Sequence, residues 1–193
     1  MNVMPRVLEG TGIRLEPLRL EHAQALYNRG RTQADWVYLP RGCFVDMSDT
    51  RQWVEEALAT PGHMPFAIVD IAKGFAIGST RYLTIRPEHY SLEIGWTWLA
   101  QDWQRTAANT EAKLLLLTHA FEQLKCVRVE FKTDARNERS QRALLRIGAK
   151  REGVMRNHMI VQNNYLRDSV YFSVIESEWP AVKARLQKLA KRT

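Results

Sequence analysis

Residues 103–111 read WQRTAANTE and run on into AKLLLL. An aromatic stretch, SLEIGWTWLA, lies just upstream. A strand, a short turn and a helix opening on Asn109, Thr110 and Glu111 form the layout of an anion cradle. The first turn of a helix has backbone N–H groups without acceptors and a partial positive charge, and both attract phosphate. Such cradles are commonly rich in glycine, which lets a ligand approach the backbone closely. Here Ala107 and Ala108, the next smallest side chains, serve if their φ angles stay negative. Asn109 or Thr110 offers a cap, Gln104 and Arg105 offer side-chain donors, and Arg105 adds a charge. On spacing alone, a plain helix start is the better explanation.

A second candidate is Glu93, set between Leu92 and Ile94 on the upstream strand. Partial burial would raise its pKa toward the range of a general base. An ion pair with an arginine on a neighbouring strand, such as Arg81, is an equally weighted reading. The other reactive residue types form no pattern. His22, His63, His89, His119 and His158 lack metal-ligand spacing, so no metal is expected. Cys43 and Cys126 make no CxxC pair, and no histidine is placed to activate Cys126. Dinucleotide and Walker fingerprints are absent. The six tryptophans are mostly core residues, with Trp36 a candidate for lining an acceptor pocket.

These residues need a scaffold, and the chain is long enough for one. Its 193 residues and 45% hydrophobic content fit a single domain over 1–193, with a core at about 10–185 and a basic C-terminal helix or tail. Lys+Arg 28 against Asp+Glu 21 gives +7, which favours anionic partners. Much of that excess sits in VKARLQKLAKR, read as a solvated helix face. No zinc-finger spacing or RNP-type strand is present, so direct nucleic-acid binding is not expected. MNVMPRVLEG lacks the apolar run of a signal peptide, and no stretch approaches the roughly 18 apolar residues of a membrane span. Cysteine usage suits a reducing cytoplasm.

Periodicity predicts a strand at GIRLEPLRL, then helices at LEHAQALYNRG and SDTRQWVEEALAT, the second with Ser48 as its cap. Three strands follow, the first two joined by Ala72-Lys73-Gly74. Then come a helix at Asn109–Leu124, a strand, a helix ended by Gly148 and two strands joined by Asn163-Asn164. The order is α/β-like, but the antiparallel meander excludes a plain Rossmann sheet.

The arrangement resembles the GNAT superfamily of acetyl-CoA-dependent N-acetyltransferases. Its loop pattern [QR]-x-x-G-x-[GA] meets Gln104, Ala107 and Asn109, so alanine stands where glycine is usual. NERSQRALLRIGA looks like the family's N-x-x-[AS]-x-x-x-[LY]-x-x-x-G-[FA], with Asn137, Ser140, Leu144, Gly148 and Ala149 in register. The sequence is most similar to the RimJ/RimL-like branch, through NTEAKLLLL, VRVEFKTDARNERSQRAL, GAKREGVMR and RDSVYFSVIESEWP. The resemblance implies an α/β (α+β) GNAT fold: a central mixed, mostly antiparallel, twisted sheet of about seven strands flanked by about four helices. It implies acetyl-CoA as donor, and as acceptor a protein N-terminal α-amine, ribosomal proteins included, or a small-molecule amine. The amine would attack directly in a ternary complex. It implies a bulged fourth strand, eased by Gly95, whose Trp98, Leu99 and Ala100 meet the pantetheine arm. It assigns Gln104, Arg105, Thr106, Ala107, Ala108, Asn109, Thr110, Asn137 and Arg142 to cofactor binding. Glu93, eleven residues before Gln104, becomes the base candidate. Leu144 occupies the place of a common tyrosine acid, so Ser140 is the remaining group for the thiolate. Residues 28–48 and 158–168 would shape the acceptor pocket. An alternative is a CoA-thioester-binding module without transferase activity. The exposed strand edges of this fold also admit a homodimer.

Overall fold

The structure is a computed structural model that describes residues 1–191. One eight-stranded sheet runs through the molecule in the order β1-β2-β3-β4-β5-β6-β8-β7. Its strands are β1 (Leu8–Glu9), β2 (Ile13–Pro17), β3 (Met64–Asp70), β4 (Phe75–Arg86), β5 (Ser91–Leu99), β6 (Arg128–Asp134), β7 (Lys150–Val161) and β8 (Tyr165–Ile175). The helices are α1 (Ala23–Arg29), α2 (Met47–Ala59), α3 (Ala108–Thr118), α4 (Glu138–Ile147) and α5 (Trp179–Ala190). Every neighbouring pair of strands is antiparallel except β5 and β6, which are parallel.

Two additions to the expected order have simple causes. β1 is only two residues long, too short for a periodicity to register. α5 lies in the basic tail, but it is not merely solvated: Trp179, Val182 and Leu186 are buried on one face. Burying an apolar side chain of that size contributes about 1.5–3 kcal/mol, which outweighs the charge on the opposite face.

Local chemistry sets most boundaries. The α2 cap is Asp46, whose carboxylate accepts from the Asp49 N–H at 2.8 Å; Ser48 already lies inside the helix. Gly148 ends α4 at φ 101, a left-handed value that a side chain would strain. Asn163 and Asn164 take φ 59 and 55 in the β7–β8 connection, as their side chains tolerate. Glu111, in the first turn of α3, accepts from the amide and hydroxyl of Thr11 and from the Gly12 amide, which pins the β1–β2 turn.

Helices cover both faces of the sheet. Ala112 and Leu116 of α3, Leu144 and Ile147 of α4 and Leu186 of α5 pack with Tyr82, Phe131 and Phe172. On the other face, Leu26 of α1 and Trp53 and Val54 of α2 pack with Ala67, Val69, Ala76 and Trp98.

Candidate functional site

β5 and β6 pair only over Ser91–Glu93 and Arg128–Glu130, and beyond that register they part. β5 also bulges against β4, because Ser79 faces Trp98 while Arg81 faces Gly95. The left-handed residue of the bulge is Trp96, at φ 49, and not Gly95. Gly95 does something else: a Cβ there would stand 3.0 Å from Glu93 Oε1. The missing side chain makes room for that carboxylate. The splayed strands open a cleft of about 600 Å³, bounded by β5, β6, the starts of α3 and α4, the Asp35–Pro40 loop and β8.

The β5 arm presents backbone. The Ala100 N–H goes to Ile77 O at 2.9 Å, so Ala100 faces β4. Strand alternation turns the Leu99 N–H and C=O toward the cleft, and the Leu99 carbonyl accepts from Gln104 Nε2 at 2.9 Å. Trp98 lends its backbone to this strand, but its ring is core, 4.9 Å from that of Trp36. Trp36 is itself 1% exposed and so does not line an acceptor pocket. Its apolar surface is better used against Phe44, Trp53 and Trp98.

The turn into α3 works without glycine. Ala107 sits at φ −63, ordinary helical space, so no glycine is required there. The left-handed position is Arg105, at φ 64. Gln104 braces the turn: Nε2 also donates to Asp35 Oδ1 at 2.6 Å, and Oε1 accepts from Arg139 Nη1 at 2.8 Å. Its amide is spent within the protein. Thr106 Oγ1 donates to Trp103 O at 2.7 Å and accepts the Ala108 amide at 3.2 Å. Glu111 is the first residue to bond back, to Ala107 O at 2.8 Å. The amides of Asn109 and Thr110 therefore have no intrahelical acceptor. Arg105, Thr106, Asn109 and Thr110 line the cleft, whereas the Ala108 methyl points into the core.

α4 starts at the same rim. Asn137 Oδ1 accepts the Ser140 amide at 3.0 Å and caps the helix. Ser140 lines the cleft, and its hydroxyl makes no side-chain hydrogen bond among the described residues. Arg142 reaches Glu138 at 3.0 Å in an exposed pair worth little. Arg146 Nη2 lies 3.4 Å from Thr110 Oγ1 and joins α4 to α3.

Glu93 forms the floor. It is 2% exposed, and burial pushes its carboxyl above the ordinary carboxylate range. Its partner is not Arg81 but Lys132 of β6, with Nζ 3.1 Å from Oε2. Oε1 is buried without a partner among the described residues. Arg81 instead lies 4.4 Å from the Trp96 ring centroid and reaches His63 Nδ1 at 3.4 Å. Lys113 is also buried at the cleft, where among the described residues only Thr97 Oγ1, at 3.0 Å, bonds it, and burial draws its pKa down to about 8. Lys113, Lys132, Arg167 and Asp35 were not picked out from sequence. Lys132 carried no signal of its own, because β6 reads RVEFKTD, an ordinary alternation of polar and apolar residues.

An amine nitrogen brought beside Glu93 Oε1 would meet a proton acceptor. A carbonyl oxygen beside the Leu99 N–H would meet a donor, and an anion at the α3 start would meet amides and cations. The acetyltransferase (GNAT) domain family matches residues 13–150. A curated Bacillus subtilis protein named "Putative ribosomal N-acetyltransferase YdaF" is 36% identical over 91 residues, 47% of this chain and 49% of that protein. The chain thus spans about half the length of that relative. The crystal structure of a GCN5-related N-acetyltransferase from Brucella melitensis superposes with TM-score 0.92 at 30% identity, over 96% of this chain and 86% of that one. Mycobacterium smegmatis RimJ, solved in complex with CoA-disulfide, superposes with TM-score 0.78 at 21% identity, over 95% of this chain and 91% of that one.

Proposed function

The chain belongs to the GNAT acetyltransferase family, and from that premise we propose that it transfers the acetyl group of acetyl-CoA to a primary amine by direct attack in a ternary complex. The observation that carries this reading is the parting of β5 and β6 beyond Glu93, which leaves a backbone edge and a buried carboxylate in one cleft. The residues present fit the donor. The free amides of Asn109 and Thr110, with Arg105 and Thr106 beside them, would hold the pyrophosphate. Asn137 and the Leu99 backbone would hold the pantetheine arm, and Arg139, Arg142 and Arg146, which line the same cleft, would offer positive charge to the remaining phosphate. Acetyl-CoA supplies the activated thioester.

The chain's own groups do the rest. Glu93 takes a proton from the amine, the Leu99 N–H steadies the developing oxyanion, and Ser140 Oγ is the group available to the departing sulfur. No acyl-enzyme is needed, and Cys126 is unsuited to form one, because burial pushes its thiol up to about 11. The acceptor would be a protein α-amine or a small amine entering between the Asp35–Pro40 loop and β8. The name of the YdaF relative favours the former. We take the whole chain to work as one domain, in the cytoplasm. Calorimetric titration with acetyl-CoA, followed by thiol release with a panel of peptides and small amines, tests the reading. Micromolar binding and amine-dependent release are expected. Binding with no release from any amine would leave only the CoA-binding alternative.

A further inference from the structure

Glu93, Lys132, Tyr171 and Arg167 share one face of the sheet. Glu93 is in register with Glu130, and Lys132 with Tyr171, so these side chains point the same way. Arg167 lies four residues from Tyr171 on β8 and therefore on that face too. It is the face covered by α1 and α2, opposite the one covered by α3, α4 and α5. The proposed phosphate cradle at the start of α3 lies on the other side of the sheet from Arg167.

Arg167 is 5% exposed and lines the cleft. Its Nε is buried without a partner. Among the described residues it makes no hydrogen bond through its side chain and no ion pair. The nearby carboxylates bond other cations and not Arg167: Asp134 takes Arg136 at 2.8 Å, and Glu93 takes Lys132 at 3.1 Å through Oε2. Arg81, the other buried guanidinium on this face, has the ring of Trp96 against it; Arg167 has no such ring. The charges of Asp134 and Glu93 favour the guanidinium without bonding it; a buried guanidinium with neither a bonded anion nor a ring against it is costly, and its planar donor fork matches carboxylate and phosphate.

We propose that Arg167 receives an anionic group carried by the acceptor itself, so that the substrate is an amine with a carboxylate or phosphate in the same molecule. This rests on the acetyltransferase reading and adds a substrate class to it. Glu93 faces the nitrogen while Arg167 holds the anion, and the two together orient the nucleophile. The anion can belong to a small amine or to an acidic side chain beside a polypeptide N-terminus.

Two matched pairs of acceptors test the idea in the wild-type protein: 2-aminoethyl phosphate against ethanolamine, and an Ala-Asp-Ala peptide against Ala-Asn-Ala. A preference of about tenfold or more in kcat/KM for the anionic member of either pair is expected, since a charge-assisted bond of this kind contributes that much. The pair that shows it identifies the source. Arg167→Gln should bring the two members of that pair to within about twofold and leave acetyl-CoA affinity unchanged, while Arg167→Lys keeps part of the preference. Equal wild-type rates within both pairs overturn the inference. So does an Arg167→Gln loss that is the same for anionic and neutral acceptors. Absence of both acetyl-CoA binding and transfer would overturn the acetyltransferase reading, and this inference with it; binding and transfer without preference overturn this inference alone.

Discussion

Lys132 Nζ lies 3.1 Å from Glu93 Oε2, and the other oxygen of that carboxylate is buried with nothing to bond. A carboxylate held at one oxygen and free at the other is oriented to accept a proton. Glu93→Gln should lower kcat/KM by about 10²–10⁴ and leave acetyl-CoA affinity unchanged. Burial raises the Glu93 pKa, so the carboxylate forms at higher pH than that of an exposed glutamate, and the wild-type rate should climb with pH through that shifted value. The variant should lose this limb. A pH profile that keeps its shape in Glu93→Gln would remove Glu93 from the role of base.

Lys132 opposes that burial effect, since its positive charge favours the ionised carboxylate. Lys132→Met should therefore move the same limb to higher pH. Folding stability responds with the opposite sign to a paired surface acid. A raised folded pKa means the native state binds the proton more tightly, so this group's contribution falls as pH rises from 4.5 through the shifted value. Rate profiles and melting curves of Lys132→Met, taken side by side, check both signs. A limb that stays in place or moves to lower pH would show that Lys132 does not tune Glu93.

Asn109→Asp separates the phosphate cradle from helix stability. An acidic side chain in the first turn of α3 interacts favourably with the helix dipole by about 0.3–1 kcal/mol. The same charge would repel a pyrophosphate. The variant should keep or slightly raise its melting temperature while losing about tenfold or more in acetyl-CoA affinity by calorimetry. Asn109 is the right position for this, because Ala108 is in the core and an aspartate there would disturb packing instead. Unaltered affinity would place the phosphates elsewhere.

Much of the scaffold was legible in the chain because it rests on local signals: alternation in β2, the Asn163-Asn164 turn, Gly148 after α4. The capping of α2 by Asp46 was missed since Ser48 is an equally good cap on sequence alone and only the backbone decides. The site was legible where it rests on one segment, as in the turn from Gln104 to Thr110. It was illegible where strands distant in sequence supply the partner. Lys132 is thirty-nine residues from Glu93, and only the parallel register of β5 and β6 brings them together. Arg167 reaches the cleft through β8, inserted between β6 and β7 in the sheet. Trp36 was read as a candidate for the acceptor pocket, but three aromatic neighbours drawn from α2, β5 and the loop before α2 give it a core to fill.

Glu152 provides an acid-stability handle away from the cleft. It pairs with Arg128 at 2.7 Å and accepts the Ser173 hydroxyl at 2.6 Å, and the Arg128 hydrogen bonds draw its pKa from 4.5 to about 2. A depressed folded pKa gives stability that is present above the unfolded value and lost as pH falls from 4.5 toward about 2. Glu152→Gln should melt lower than the wild type at neutral pH, and the gap should close on acidification through that window. A gap that persists at the acid end would show that the pair does not carry the effect.

Trp36 links core packing to the mouth of the cleft. Its ring centroid lies 4.8 Å from that of Phe44 and 4.9 Å from that of Trp98, and it is 1% exposed. Its carbonyl lies 2.9 Å from Gln162 Nε2, which also approaches Leu39 O at 2.8 Å. Trp36 thus anchors from below a loop that the β7–β8 connection holds from above, and that loop contributes Asp35, Tyr38 and Leu39 to the cleft. Trp36→Ala should cost about 3–5 kcal/mol of stability in denaturant titration. Trp36→Phe should cost much less, because it keeps the ring and removes an indole N–H that is buried without an acceptor. If the anchor matters to the site, Trp36→Phe should raise the acceptor KM while leaving acetyl-CoA affinity and the Glu93 pH limb in place. An unchanged acceptor KM would confine Trp36 to stability.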